Sequence, residues 1–113
     1  MKPTSRANSD HYTWGQSCDG WHLVKDSTLS VIQEKMPPAT AEARHYHQNA
    51  QQFFFILSGE AVMAVETEQI TLRTGEGLHI PPGIPHQIQN LSDHPVEFLV
   101  ISQPPSHGDR MTL

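Results

Sequence analysis

Cysteine, positive charge and long apolar runs are all scarce in this chain, and each scarcity excludes something. Cys18 is the only cysteine among 113 residues, so neither an intramolecular disulfide nor a thiolate metal cluster can form. Lysine and arginine total seven against twelve acidic residues, giving a net charge of -5. With a pI near 5.8 and no cluster of basic residues, the chain has no face for nucleic acid or an anionic membrane. No apolar run approaches the ~18 residues of a membrane span. The opening residues, MKPTSRANSDHYTWG, carry no apolar segment of the signal-peptide kind, so a cytoplasmic location is expected. A sustained helical period with caps is missing too.

What is present is punctuation and imidazole. Nine prolines and seven glycines fall between short apolar runs, and there are eight histidines. From Leu29 the runs LSVIQEKM, QFFFILS, AVMAVE, QITLR, GLHI, HQIQN and VEFLVIS recur at roughly eight- to twelve-residue spacing, the texture of an all-β sandwich or barrel. The length suits one domain with one modest core. Residues 29–104 read as a β-barrel, 105–113 as a polar surface tail, and 1–28 as an arm and strand packing on the barrel or on a dimer partner. Within that arm, residues 1–11 lack periodicity and read as loose. Residues 12–24, YTWGQSCDGWHLV, are apolar enough to cover a neighbouring copy's sheet edge, and a homodimer is expected.

Strand parity sorts the candidate residues. His45 and His47 point to the same face of a strand and stand close enough to share one ion. Gln52, Phe54 and Ile56 share one face of the next run, while Phe53, Phe55 and Leu57 share the other. Both faces are apolar, so that strand is buried on both sides or sits against a partner surface. An amide buried at its start, Gln52, needs a partner, either backbone hydrogen bonds or a metal reached through its carbonyl oxygen. Downstream, His86 opens a strand on the same face as Ile88. Ile32, Glu34 and Met36 share a face as well; if it is the interior, Glu34 is a buried carboxylate suited to general-base work, and in the opposite register it is solvated. Tyr46 and His79 should point away from the core, and His11, His22 and His107 have no telling context. Gln51 would replace Gln52 only if a bulge shifts the register.

Two segments together resemble the motifs of the cupin superfamily. Gly75-x5-Pro81-x-Gly83-x2-His86-x3-Asn90 matches the second motif at every fixed position. His45-x-His47-x4-Gln52-x6-Gly59 is similar to the first, with glutamine where the family has glutamate. The resemblance implies a single-domain jelly-roll barrel in which His45, His47, Gln52 and His86 converge on one divalent transition metal: zinc, nickel, iron, manganese or cobalt. The family's leading glycine falls on Ala39, so that turn should be reachable without positive φ. A shell of three histidines and one amide is neutral and leaves a divalent ion its full charge. That weakens its hold, since unit charges at ~4 Å interact by about 4 kcal/mol at an effective dielectric of 20. It also makes a stronger Lewis acid and a better seat for an anionic ligand. The expected activity is isomerase, lyase, cyclase or dioxygenase chemistry on a small oxygenated molecule, with Glu34 as base and Met36, Phe54, Ile88 and Phe98 lining the pocket. The rival expectation is a cupin that binds or senses a small molecule without turning it over.

Overall fold

The computed structural model describes residues 1–113 as twelve antiparallel strands and one short 3-10 turn. One sheet runs in the order β1 (Asp10–Trp14), β2 (Cys18–Lys25), β3 (Ser30–Met36), β11 (Val96–Gln103), β6 (Gln51–Ser58), β9 (Gly77–Ile80). The other runs β12 (Arg110–Thr112), β5 (His45–His47), β10 (His86–Asn90), β7 (Glu60–Val65), β8 (Glu68–Arg73), with β4 (Thr40–Ala41) also paired to β10. This is an all-β jelly roll in a single domain. No helix is long and apolar enough to cross a membrane.

Alternation builds the core. In β11, Val96, Phe98, Val100 and Ser102 are buried, while Glu97, Leu99 and Ile101 between them are partly exposed. Phe98 joins Met36, Ile56, Met63 and Ile88 in a fully enclosed cluster. Burying each such side chain contributes about 1.5–3 kcal/mol. Gly59 closes the β6–β7 turn at φ +80, and a Cβ there would stand 2.5 Å from the Pro95 carbonyl oxygen, so only glycine fits.

Two expectations are corrected here. Residues 1–11 are not simply loose: Ser5 caps a 3-10 turn at Arg6–Asn8, and β1 begins at Asp10. Ala39 does take a left-handed conformation, φ +60, despite its Cβ. Of the alternatives for residues 12–24, the chain realises packing on the barrel, as β1 and β2 of its own sheet, paired from Asp10↔His22 to Trp14↔Cys18. Of those for β6, burial on both sides within the chain is not met, since Phe53 and Leu57 are 38% and 40% exposed. The polar tail, for its part, returns as β12 against β5, with Arg110 opposite His47.

Candidate metal centre

Three strands deliver the donors. In β5 the alternation turns His45 and His47 inward and leaves Tyr46 half-buried between them. His86, opening β10, lies directly opposite His45 in register and is 1% exposed. The ligating nitrogens of the three histidines lie within 4.8 Å of one another. Gln52, at the start of β6, presents Oε1 3.1 Å from His86 Nε2. The residues singled out by motif spacing are therefore brought to one point.

Their hydrogen bonds fix which atoms are free. A carbonyl oxygen can only accept, so His45 Nδ1–H donates to Ala43 O at 2.8 Å and His86 Nδ1–H donates to Ile84 O at 2.9 Å. In each ring this leaves Nε2 with a lone pair. Burial depresses the histidines, His45 and His47 to about 4, and lowers His86 as well, so all three are neutral and ready to ligate at neutral pH. His47 Nδ1 is buried without a partner. His86 Nε2 and Gln52 Oε1, both acceptors, face each other.

That arrangement fits a cation. Two ligand atoms ~2.1 Å from one ion stand about 3.0–3.4 Å apart at octahedral or tetrahedral angles, and the 3.1 Å between amide oxygen and imidazole falls in that range. Turning the amide over also relieves the facing lone pairs, but only a cation does so with the oxygen kept in place. Outer partners brace the donors. Gln52 Nε2 donates to Ser102 Oγ at 3.0 Å, a pairing set by the Ser102↔Gln52 register. Gly83 N–H donates to His47 O at 2.7 Å, docking the proline-rich turn on the ligand strand. Asp109 accepts from the backbone of Gln48, Asn49 and Ala50 at 3.1, 3.0 and 2.9 Å, clamping the turn that spaces His47 from Gln52.

His45, His47 and Gln52 open on a cavity of about 290 Å³, with His86 behind them, and it is walled by Tyr12, Trp14, Ile32, Phe54 and Val100, with Arg110 and His107 among the tail residues that complete its wall. Glu34 faces inward and lines it, the interior register of the two weighed above. Its Oε2 accepts from Tyr12 Oη at 2.8 Å. Tyr12 reaches it across an intervening strand, because Tyr12 pairs with Gly20 and Gly20 with Glu34. A Cβ on Gly20 would stand 2.2 Å from the Tyr12 ring, so the missing side chain is what lets the phenol cross. Burial pushes the Glu34 carboxyl up to about 7, with the Tyr12 bond and Arg110 pulling the other way.

Sequence parity missed a second carboxylate. Glu42 lines the same cavity from the loop after β4, its Oε1 accepting from Ile88 N–H at 3.2 Å. Burial and then the Glu34 charge raise it to about 8. It lies between strands, where period-two reasoning has no purchase. Tyr12, Trp14, Ser102, Asp109 and Arg110 were missed as well, the first two because only the β1–β2–β3 register reveals them. Met36, Ile88 and Phe98 must be moved out of the pocket: each is 0% exposed within the closed core, and of the four proposed walls only Phe54 lines the cavity. His79 is exposed on the outer face, bonded to Gln51. His107 lines the cavity, contrary to its lack of sequence context. Cys18 is buried in the core, remote from any metal role.

Comparisons with known proteins agree with this fold. The chain is similar to MJ1618, an uncharacterized protein of Methanocaldococcus jannaschii, at 29% identity over 89 residues, 78% of this chain and 71% of that protein. It matches an oxalate-binding protein of Thermotoga maritima at 27% identity over 67 residues, 59% of this chain and 55% of that protein. The fold superposes on the polyketide cyclase RemF of Streptomyces resistomycificus with a TM-score of 0.85 at 15% identity, over 100% of this chain and 85% of that one. The family model for the cupin domain matches residues 32–102, a span from Ile32 to Ser102 that encloses all four donors. This chain belongs to the cupin family.

Proposed function

We propose that this chain is a divalent-metal-dependent enzyme acting on a small carbonyl, enol or carboxylate compound by redox-neutral proton transfer. The observation that carries the reading is a cluster of three imidazole nitrogens and one amide oxygen, of which His45, His47 and Gln52 line a cavity that also presents Glu34. His45, His47, His86 and Gln52 would hold the ion, and this donor set suits zinc, nickel, iron, manganese and cobalt alike. Such an ion supplies Lewis acidity, polarising a carbonyl group.

The chain's own residues supply the rest. A carboxyl titrating near 7 both accepts and returns a proton at neutral pH, which is the requirement on a general base. Tyr12 holds Glu34 Oε2 and so leaves Oε1 for the substrate. Trp14, Phe54 and Val100 exclude water from the reacting carbon, and Arg110 offers the lining a single guanidinium for an anionic group. A cavity of about 290 Å³ lies at the small end of ligand pockets, which favours a small substrate.

Metal content of purified protein, beside His86→Ala, tests the first half: about one equivalent in the wild type and none in the variant. Solvent-deuterium exchange into small enolisable carbonyl compounds tests the second. Glu34→Gln should keep the metal and lose the exchange; a metal-free wild type under metal excess overturns the proposal. The similarity to an oxalate-binding protein favours a second reading, in which the same cavity binds a small carboxylate without turnover. Tight binding of dicarboxylates with no exchange in any carbonyl compound would select it.

A further inference from the structure

We propose that a groove outside the inner cavity holds the far end of the substrate, and that this end carries an anionic group, a carboxylate or a phosphate. The inference rests on the reading above for the position of the reacting carbonyl and adds the other half of the molecule. Between the β2–β3 hairpin and the segment after β11 lies a groove of about 770 Å³. Tyr12, Ile32, Ser106 and His107 line both this groove and the inner cavity, so the two spaces adjoin. Pro104, Pro105 and the His22 ring, which lies 5.0 Å from the Tyr12 ring, give the groove an apolar floor. Burial first, and then the Lys25 charge, lower His22, so its ring is neutral at pH 7.

A bulge supplies the charge. β2 pairs with β3 as His22↔Ile32 and then as Val24↔Val31 and Lys25↔Ser30, so Leu23 is an extra residue. Under unbroken alternation Val24 would follow His22 to the inner side and Lys25 would face out. The extra residue reverses that parity, leaving Val24 38% exposed and bringing Lys25 and Ser30 into the groove. Bulges re-aim side chains in this way beside active sites. Lys25 has no ion-pair partner. Asp26, the carboxylate in the lining, accepts from the N–H and the hydroxyl of Thr28 at 3.2 and 2.9 Å and is held within its own turn. An exposed lysine alone is ordinary. Here a chain of net charge -5 turns an unpaired ammonium toward a groove that adjoins its candidate metal centre, and an anion is what that ammonium complements.

Strand geometry sets the length of the stem. Along β3, Glu34 and Ser30 are four residues apart, ~13 Å at ~3.3 Å per residue. The Lys25 side chain can reach back over part of that distance, and an extended chain advances ~1.2 Å per bond. Roughly six to ten bonds therefore separate the reacting carbon from the anionic group. The substrate class is a carbonyl compound whose apolar stem ends in a carboxylate or phosphate.

Titration calorimetry tests this with methyl ketones that end in a carboxylate, a phosphate or a neutral methyl ether, on stems of about two or about seven methylenes. The long anions should bind at least ~10-fold more tightly than their neutral twin and than the short anions. Lys25→Gln, checked for folding by circular dichroism, should remove that preference. Lys2→Gln, which subtracts the same charge from an exposed site elsewhere, should keep it. The tighter of carboxylate and phosphate names the group. A long anion that binds no better than its neutral twin overturns the proposal, as does a preference that survives Lys25→Gln or is lost equally with Lys2→Gln. Solvent-deuterium exchange into the short neutral ketone by the wild type keeps the two readings apart. Exchange without a preference for the long anions sinks this proposal alone, whereas the preference without exchange into any probe supports the groove and sinks the reaction.

Discussion

At the scale of single residues, Gln52 would set how firmly an ion is held under the proposed function. Replacing it by glutamate adds one negative charge to a neutral shell, and we expect divalent-metal affinity to rise by about 100-fold, read by competition with a chromophoric chelator. Ala39 shows a different economy. A non-glycine residue at φ +60 is strained by roughly 1–2 kcal/mol, so Ala39→Gly should stabilise the fold by about 1 kcal/mol and raise its melting temperature by ~4–8 °C. The Tyr12–Glu34 bond depends on a residue that touches neither metal nor substrate. Gly20→Ala should drive the phenol off Glu34, as its Cβ would stand 2.2 Å from the ring. Tyr12→Phe removes the same bond without the clash. Because that bond pulls the Glu34 carboxyl down, both variants should move its titration further above 7 in a carbon-detected NMR titration. The convergence of His45, His47, Gln52 and His86 was legible through the resemblance to the family's motifs, whose spacings match a strand parity for His45 and His47, a short turn to Gln52 and a proline–glycine turn before His86. Tyr12 was not, because its role rests on the register of three strands.

At the scale of elements, parity assigns a face but says nothing of depth. Glu34 and Met36 point inward from the same strand, yet one lines the cavity and the other is sealed in the core. Phe54 and Ile56 on β6, and Val100 and Phe98 on β11, divide the same way. The cavity lies at one end of the barrel, and which end became visible only once the strands were registered against one another. That is why Met36, Ile88 and Phe98 were misplaced from sequence while Phe54 was not. The last strand, β12, was illegible for another reason: three exposed residues paired to β5 have no hydrophobic period. It nevertheless follows directly on Asp109, whose carboxylate clamps the turn between the candidate ligands His47 and Gln52. Asp109→Ala should weaken metal affinity by about 10–100-fold, the effect typical of outer-shell partners, while the far-UV dichroism of the folded sheet persists.

For the whole molecule, opposing titrations shape stability in the presence of chelator. The histidines are depressed to about 4, so their contribution is present above the ordinary value near 6.5 and is lost as pH falls toward 4. The two carboxyls are raised, to about 7 and about 8, so theirs is present below 4.5 and is lost as pH rises through 7 and 8. Above pH 6.5 only the carboxyls change, and urea titrations should show stability falling from about pH 6.5 to 8. Glu34→Gln should flatten that decline. Beyond the Asp109 clamp, Leu113 N–H donates to the carbonyl of Arg44, next to the candidate ligand His45. A polyhistidine purification tag fused after Leu113 would begin next to the strand that carries His45 and His47 and compete with the three histidines for an ion. The same tag ahead of the fully exposed Met1 joins the chain outside the residues that wall the cavity, so recombinant protein meant for metal assays should be tagged there.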